Sequence, residues 1–399
     1  MTTTMPSLDL AVVGGGLVGA AFAAGAASAG FRVALLEAQT PRAADAFADI
    51  DLRVSALSRA TERLLRDLGA WDAVAPDRCS SYQRMVVLDA VDEGTASEVV
   101  FDAADLGEPD LGHIVENRAL QHALWQAAAA AGVELRAPAT VSGLAIVGRQ
   151  ARLALTDGSA LSACLVVAAD GAGSPLRRLA GLGVDAQDYD QHAVVAHLRS
   201  VVPHQRTAWQ RFQHGGPLAL LPLADGRVSI VWSTAPEHAA ELLALDDAAF
   251  GAAVTDASGA RLGALSAASP RARFPLRRQH ATRYAGDRVV LIGDAAHVVH
   301  PLAGQGVNLG FQDAIALLRA LTRARVAGDD LGEPATLRRY ERARRGANAA
   351  MLELMDAFKR LFGDTRQPVA ALRDAGMRAF DRSGPLKRAV MRRALGLRS

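Results

Sequence analysis

Three glycines near the start of the chain have the spacing of a turn that binds phosphate. Gly14, Gly16 and Gly19 follow the apolar run Leu8–Val13 and open a stretch of small residues with helical spacing. The first glycine allows the tight turn, the second lets a pyrophosphate approach the backbone, and the third lets helix and strand pack closely. Glu37 ends the next apolar run, where a carboxylate accepts hydrogen bonds from an adenosine ribose. The pattern predicts a dinucleotide site without separating FAD from NAD.

Two further carboxylates each follow a buried-strand pattern. Asp170 and Gly171 come after the apolar run 165–168, although an Asp-Gly pair at such a point is usually only a turn. Asp294 follows the run 288–292, at the carboxyl end of a predicted strand, where α/β sheets bind their ligands. A carboxylate in that position is suited to hold the ribityl hydroxyls of a flavin.

The periodicity of apolar residues places these groups in an α/β fold. Strand, helix and strand over residues 8–36 form a βαβ unit, which implies a parallel sheet. Runs at 151–156 and 159–168 flank Asp157-Gly158 and predict a hairpin. Short runs between residues 192 and 234 predict an antiparallel sheet in a second domain. Residues from 335 onwards have a helical pattern with many arginines.

We therefore expect a Rossmann-like nucleotide-binding domain interleaved with a smaller antiparallel-sheet domain and followed by a helical C-terminus. At roughly 100–200 residues per domain, a chain of 399 residues holds about two domains. The expected division is 1–180 for the first domain, with an inserted substrate-side segment near 80–105, then 181–275 for the second domain, 276–335 for a return to the first, and 336–399 for the helical region.

Composition argues against several classes of function. The net charge is +2 and aromatic residues make up 5%, so a nucleic-acid partner is not expected. Cys79 and Cys164 are the only cysteines, which predicts no disulfide framework and fits a reduced, cytoplasmic setting. His297 and His300 lack a third ligand for a metal. We recognise no signal peptide and no apolar stretch of about 20 residues that could span a membrane.

The order and spacing of these motifs resemble those of the FAD-dependent aromatic hydroxylases related to para-hydroxybenzoate hydroxylase. Within them the chain is similar to the ubiquinone-biosynthesis hydroxylases, in particular the bacterial branch that hydroxylates a 2-polyprenylphenol at ring carbon 5. The likeness runs from about residue 8 to residue 361. It is carried by residues 51–57 (DLRVSAL), 111–117 (LGHIVEN) and 293–310 (GDAAHVVHPLAGQGVNLG), with Asp313 beyond them.

The resemblance implies an oxidoreductase that uses FAD, O₂ and NAD(P)H or another electron donor to hydroxylate a polyprenylated phenol through a flavin hydroperoxide. The cofactor supplies the chemistry and the protein supplies position and charge stabilisation, so no catalytic side chain and no metal are assigned. The resemblance assigns to FAD the residues Gly14, Gly16, Gly19 and Glu37 (ADP half), Arg53, Asn117 and Arg118 (phosphates or ribityl chain), Asp170 (Asp-Gly motif), Asp294 (ribityl chain), and Pro301, Gly304, Gly306, Val307 and Asn308 (isoalloxazine). For the two arginines, the alternative is a surface position in an arginine-rich protein.

The resemblance places the substrate against the antiparallel sheet. Side chains that are candidates to face it are Gln210, Phe212, Leu220, Pro222 and Trp232. For each of them the favoured alternative is an ordinary core position, because a strand buries one face whether or not a ligand lies there. The expected location is cytoplasmic. Two partners are left open, namely a ubiquinone-biosynthesis protein complex and a peripheral contact with the inner face of the membrane.

Several other functions are compatible with the motifs. A related flavin hydroxylase of a small phenolic acid needs a cation in its pocket, and the chain is rich in arginine. A ubiquinone-pathway paralogue would act at another ring carbon, and a flavin-dependent isoprenoid reductase would not couple oxygen use to hydroxylation. A non-catalytic assembly subunit would bind FAD without turnover. A plain NAD dehydrogenase gives no reason for the Gly293-Asp294 motif.

The end of the chain combines positive charge with an apolar stripe. Residues 373–398 contain seven arginines and one lysine against two aspartates, a net charge of +6. Leu386, Val390, Ala394 and Leu397 recur at helical spacing, largely apart from the basic residues. Such a helix is suited to lie on an anionic membrane, at ~1 kcal/mol per basic residue near the surface. The alternatives are a solvated terminal helix and a helix that docks a partner protein.

Overall fold

Helices and strands make up most of residues 8–41, 49–89, 97–300, 305–363 and 366–396, which a computed structural model describes. The helices are α1 (Leu17–Ser28), α2 (Arg59–Asp67), α3 (Asn117–Ala130), α4 (Pro175–Leu179), α5 (Pro236–Ala244), α6 (Asp247–Ala257), α7 (Gln305–Ala327), α8 (Pro334–Gly363), α9 (Gln367–Asp381) and α10 (Pro385–Leu395). The strands are β1 (Leu8–Val13), β2 (Val33–Leu36), β3 (Val54–Ser58), β4 (Cys79–Tyr82), β5 (Arg84–Asp89), β6 (Glu98–Asp102), β7 (Gly112–Glu116), β8 (Glu134–Arg136), β9 (Val141–Val147), β10 (Gln150–Leu155), β11 (Ala160–Ala168), β12 (Val184–Ser200), β13 (Thr207–Phe212), β14 (Leu218–Pro222), β15 (Val228–Thr234), β16 (Leu265–Ala267), β17 (Ala272–Ala281), β18 (Ala285–Gly286), β19 (Val289–Leu291) and β20 (His297–Val298).

The first sheet brings the three predicted motifs to one edge. Its strands are ordered β18-β19-β11-β1-β2-β8, and β10 and β9 extend it beyond β11. β1 pairs in parallel with β2 and β11, and β11 pairs in parallel with β19. Such a strand is covered on both faces, which suits the buried apolar residues Leu10 to Val13 of β1. Because parallel strands end at the same edge, Gly14, Asp170 and Asp294 all lie at that edge.

The predicted Rossmann-like α/β architecture is confirmed. α1 consists largely of buried alanine and glycine, and it packs closely against α3 and α7. The hairpin predicted around Asp157-Gly158 is also confirmed, because β10 and β11 pair antiparallel across it. Gly158 has φ +85°, a left-handed conformation that glycine adopts without strain.

The second sheet has the order β20-β17-β12-β15-β14-β13-β5-β6, with β16 beside β12. The strands predicted between residues 192 and 234 are confirmed as part of β12 and as β13, β14 and β15, and neighbouring strands pair antiparallel. One pair differs from the expectation of an antiparallel sheet, because β13 runs parallel to β5. The β5–β6 hairpin comes from the segment near 80–105 and joins the sheet at its edge.

The pairing of β12 with β17 indicates where the second domain ends. The expected boundary at residue 275 lies within β17, which pairs with β12 from Val184 opposite Ala281 to Val195 opposite Ala272. A domain boundary through a paired strand would separate residues that share one hydrogen-bond ladder. We therefore propose that the second domain extends to the end of β17.

The two faces of the second sheet are covered differently. α5 and α6 cover the outer face, where Val194, Leu218, Ile230 and Phe250 form a separate core cluster. On the other side, α9 packs against β6, and α8 to α10 form the helical C-terminus expected from the sequence. A small third sheet, β3-β7-β4, completes the described fold. None of the described helices has both the length and the apolar character that crossing a membrane requires.

A buried ion pair fastens α9 to the second sheet. Arg373 Nε donates to the carboxylate of Asp89 at the end of β5, and the two side chains are 1% and 4% exposed. Burial raises the pKa of Asp89, and the charge and hydrogen bond of Arg373 oppose this rise. The same helix carries an ion pair between Arg378 and Asp374, which is much more exposed.

We expect Arg373→Leu to lower the free energy of unfolding by about 3–5 kcal/mol, because it leaves a buried carboxylate without its ionic partner. Arg378→Ala removes the exposed pair of the same helix and should cost no more than about 1 kcal/mol. Urea unfolding followed by circular dichroism measures both changes. Equal losses in the two variants would show that the buried pair does not fasten α9.

Candidate active site

The three glycines of the predicted phosphate turn differ in whether the protein leaves room for a side chain. Gly14 has φ +105°, and a Cβ on it would lie 2.3 Å from the carbonyl oxygen of Ala169. A Cβ on Gly19 would lie 1.9 Å from the carbonyl oxygen of Gly14. A Cβ on Gly16 would meet no atom within 4 Å. Gly14 and Gly19 are therefore required for packing, whereas Gly16 borders open space.

The N-terminus of α1 is available to an anion. Gly16 is its N-cap residue, and in the described part of the chain no side chain caps the helix. The N–H groups of the first turn therefore have no intrahelical partner, and the helix dipole favours negative charge beside them. Together with the open space at Gly16, this arrangement fits the pyrophosphate of FAD.

The turn is held on both sides of Gly15. Glu37 lies at the end of β2, where its Oε2 accepts a hydrogen bond from the Gly15 N–H at 2.6 Å and its Oε1 accepts one from Gln39 N–H at 3.1 Å. On the other side, Gln121 and Trp125 of α3 both donate to the Gly15 carbonyl at 2.8 Å. These two residues were not among those predicted from the sequence, where their only signal is a spacing of four on one helix face.

The start of α3 gathers three of the predicted cofactor residues. The Asn117 N–H donates to the Arg53 carbonyl at 3.0 Å, and Ser55 Oγ donates to Asn117 Oδ1 at 2.7 Å. Arg118 Nε lies 3.0 Å from the Asp51 carboxylate. Both arginine side chains are exposed, so their contact with FAD stays a prediction.

The carboxylate of Asp170 accepts its hydrogen bonds from residues of the protein. It accepts hydrogen bonds from Ser174 Oγ and, at 3.0 Å, from the Leu176 N–H at the start of α4. Burial raises the pKa of Asp170, and these hydrogen bonds oppose the rise. Arg177 of α4 then donates to the Ala295 carbonyl at 2.8 Å. Asp170 therefore shapes a loop that is tied to the Asp294 loop.

Asp294 follows β19 with its carboxylate available. The side chain is exposed to solvent, yet enough protein surrounds it that loss of water raises its pKa. His297, Arg53 and Arg277 lie near enough to oppose this rise. No described residue donates a hydrogen bond to the carboxylate, which leaves both oxygens for the hydroxyl groups of a ligand.

A buried carboxylate fixes the loop that carries Asp294. Asp313 of α7 accepts hydrogen bonds from Gly293 N–H at 3.1 Å and His297 Nε2 at 2.5 Å. It also accepts from Arg344 Nε at 2.6 Å and Asn348 Nδ2 at 3.1 Å, both in α8. Burial alone would raise the pKa of Asp313, but His297 and Arg344 outweigh it and the net shift is downward. His297 thus belongs to this network.

The first turn of α7 is tied to β3 and α2. Asn308 Oδ1 accepts hydrogen bonds from Ser58 N–H at 3.0 Å and Thr61 Oγ1 at 2.7 Å, and its Nδ2 donates to the Ala56 carbonyl at 2.8 Å. The neighbouring residues predicted to lie around the isoalloxazine are Gly306 and Val307, in the same turn, and Pro301 and Gly304, which lie outside the described residues.

A cavity of ≈ 800 Å³ begins at this turn and extends between the second sheet and the C-terminal helices. β3, β5, β6, β13, α8, α9 and α10 all contribute to its wall, which is mostly apolar and rich in methionine and phenylalanine. Its side chains with polar groups are Ser58, Tyr82, Gln210, Asn308 and Arg373. The cavity therefore offers an apolar channel with a few hydrogen-bonding groups.

Two of the five side chains predicted to face the substrate line this cavity, namely Gln210 and Phe212. The other three candidates do not line it, which agrees with the core position that the sequence favoured for them. Leu220 and Trp232 belong to the core cluster under α5 and α6. Pro222 lies two residues after Leu220 in β14 and therefore faces the same side of the sheet. Alternate residues of a strand face opposite sides, so the sequence alone did not fix which side each occupies.

The chain matches a family model and several curated proteins. A model described as an FAD binding domain matches residues 7–354. The chain is 40% identical over 396 residues to 3-demethoxyubiquinol 3-hydroxylase of Escherichia coli (strain K12), covering 99% of this chain and 100% of that protein. It is 37% identical to the mitochondrial ubiquinone biosynthesis monooxygenase COQ6 of Mus musculus, covering 96% and 90%.

Solved structures with the same architecture include p-nitrophenol 4-monooxygenase PnpA from Pseudomonas putida DLL-E4. The TM-score is 0.78 at 20% identity, over 99% of this chain and 100% of that one. At this identity the likeness shows the fold alone, and it agrees with the two-sheet arrangement described above.

Gly16→Ala should weaken FAD binding at least about tenfold while the FAD-free protein keeps its stability, because the methyl group enters only the open space beside the turn. Gly19→Ala is the matched control. Its methyl group meets the Gly14 carbonyl and should destabilise the FAD-free protein by about 1–3 kcal/mol. FAD titration and thermal unfolding of the apoprotein separate the two effects. Wild-type affinity in Gly16→Ala would place the pyrophosphate elsewhere.

Asp294→Ala should change flavin binding or the flavin spectrum with little effect on the fold, because the lost carboxylate accepts no hydrogen bond from the described residues. Asp313→Ala removes a carboxylate that accepts four such bonds, and it should lower the unfolding midpoint sharply. Flavin absorbance and thermal unfolding measure both outcomes. An Asp294→Ala protein with normal flavin spectra and normal turnover would exclude Asp294 from the cofactor site.

Proposed function

The chain belongs to the FAD binding domain family, and on that premise we propose that it hydroxylates the aromatic ring of a polyprenylated phenol in ubiquinone biosynthesis. It is an oxidoreductase of the flavin-dependent monooxygenase class, with FAD as its cofactor. The names of the E. coli and mouse relatives support the reaction and the pathway. NAD(P)H or another donor supplies electrons, and O₂ supplies the oxygen atom.

The apolar cavity is the observation that carries this proposal. Its volume of ≈ 800 Å³ lies in the range of sites that bury a small organic ligand, roughly 300–1,000 Å³. Seven of the fifteen lining residues that the three C-terminal helices supply are methionine or phenylalanine. Flexible thioethers and aromatic faces suit an unsaturated hydrocarbon chain, whereas a small polar substrate has no use for such a surface.

Gln210 is the side chain that we assign to the substrate ring. The amide of Asn308 already bonds Ser58, Thr61 and Ala56, so its orientation is fixed by the protein. The amide of Gln210 lines the same cavity as Asn308 and has no hydrogen-bond partner among the described residues. It can therefore bind a ring hydroxyl and orient the ring. FAD, when bound, supplies the oxygen-transfer chemistry.

The cavity also weighs against a small phenolic acid as substrate. Such a substrate needs a cation for its carboxylate, and Arg373 is the one lysine or arginine among the described residues of the wall. Arg373 already forms a buried ion pair with Asp89 and donates to the Leu361 carbonyl at 2.7 Å. A second carboxylate there would meet the negative charge of Asp89.

Two ring positions stand as candidates. The sequence resemblance favours ring carbon 5, as in the 2-polyprenylphenol hydroxylases. The alternative, another carbon of the ring, is supported by the relative from E. coli, whose name is 3-demethoxyubiquinol 3-hydroxylase. Quinone profiling of a strain that lacks this gene tests the choice, because the intermediate that accumulates carries every ring substituent added before the missing hydroxylation. Normal quinone content in that strain would contradict the proposed function itself.

Gln210→Leu should lower kcat/KM for a prenylated phenol roughly tenfold, because a hydrogen bond worth about 1.4 kcal/mol to the ring hydroxyl is lost. Part of the donor oxidation should then yield hydrogen peroxide, since the ring is no longer oriented. Gln187→Leu makes the same change on the exposed part of β12 and is the control. If both variants matched the wild type in product formed per donor oxidised, Gln210 would have no part in binding the ring.

A further inference from the structure

The cavity opens to solvent through apolar side chains. Five of its lining residues are between 39% and 75% exposed, and a sixth exposed residue, Leu386, lies one turn before Val390 on α10. We call these residues the mouth patch: Leu354, Phe358 and Leu361 of α8, Leu372 of α9, and Leu386 and Val390 of α10. Contiguous apolar surface of this kind on three helices marks an interaction site.

The segment that carries most of the mouth patch is rich in positive charge, although Arg373 and Lys387 are buried in ion pairs. Residues 357–396, which form the rest of α8 and all of α9 and α10, contain ten lysines and arginines against three aspartates, a net charge of +7 in a chain of +2. Within α10, Arg388, Arg392 and Arg393 are exposed and form no ion pair with the described residues. The partner that fits these helices is therefore one that offers both apolar surface and negative charge.

α10 is held in place so that its outer side stays available. Met391 and Leu395 pack with Ala103 and Leu111 in a small core cluster. Lys387, which is largely buried, donates to Asp381 at 2.9 Å. The sequence predicted one apolar stripe on this helix. The structure divides the apolar residues between an inner side that packs on the protein and an outer side, with Leu386 and Val390, that faces solvent, and Leu397 lies outside the described residues.

We propose that the mouth patch docks on an anionic lipid bilayer and that the substrate enters the cavity through it directly from the membrane. This inference rests on the proposed function. A polyprenyl chain is too apolar to cross water freely. A long chain also exceeds a cavity of ≈ 800 Å³, so the part that does not fit must leave through the mouth. A bilayer in contact with the mouth accepts that part, while the basic residues bind the lipid headgroups.

Vesicle flotation with the FAD-loaded enzyme tests the proposal. The vesicles contain either phosphatidylglycerol with phosphatidylethanolamine or phosphatidylcholine alone. The test variant is L386E/R388E/R393E, whose three positions do not line the cavity. The control is V326E/R338E/R342E, which makes the same changes at an exposed valine of α7 and two exposed arginines of α8. Hydroxylation is assayed with a short-chain prenylphenol in detergent and with the same substrate embedded in vesicles.

The wild type and the control should float with anionic vesicles, less so at high salt, and the test variant should bind at least about tenfold more weakly. All three proteins should hydroxylate the detergent-solubilised substrate equally, whereas the test variant should lose activity on the embedded substrate. Equal flotation of all three proteins, or no flotation of the wild type, overturns the proposal. The proposal is also overturned if the wild type hydroxylates the embedded substrate only when a partner protein is added.

These outcomes separate the two proposals. An enzyme that hydroxylates the detergent-solubilised prenylphenol but does not bind vesicles contradicts the docking surface alone. An enzyme that binds vesicles through the mouth patch but hydroxylates no prenylphenol in either assay contradicts the proposed function.

Discussion

The buried carboxylate of Asp313 is the interaction on which the site depends. It lies in α7 and accepts hydrogen bonds from the loop after β19 and from two side chains of α8. One ionised group therefore joins the nucleotide-binding sheet, the helix whose first turn carries Asn308, and the helix that begins the cavity wall. Such a group is stable only when all its bonds are made, since an unpaired buried charge costs several kcal/mol. The cofactor side and the substrate side must fold together.

The cofactor side and the substrate side differ in polarity. The cofactor side presents uncapped N–H groups at α1, open space at Gly16 and an available carboxylate at Asp294, all suited to a polar, anionic ligand. The substrate side presents methionine and phenylalanine from the sheet and the C-terminal helices. The first turn of α7 lies where they meet. The polar cofactor and the apolar substrate that we propose would thus meet at this turn, each bound by a surface that suits it.

Much of the cofactor side could be predicted from sequence, because turns and strand ends have local signals. Glycine spacing and apolar runs located Gly14, Glu37 and Asp294 at one edge of a parallel sheet. The substrate side could not be predicted in the same way. Which face of a strand meets the cavity depends on strand pairing, so the sequence could not separate Gln210 at the cavity from Leu220 and Trp232 in the core. The arginines of the C-terminal region also obscured the apolar side of α8, which its spacing at residues 354, 358 and 361 would have revealed.

We propose that the cavity holds a prenylated phenol with its ring beside Gln210 and its tail among the C-terminal helices. A crystal structure of the FAD complex with a short-chain prenylphenol tests this placement. The ring hydroxyl should lie within hydrogen-bond distance of the Gln210 amide, and the tail should run past Met355 and Phe358 toward Leu372. A ring bound on the outer face of the sheet, or a tail that leaves in another direction, would contradict it.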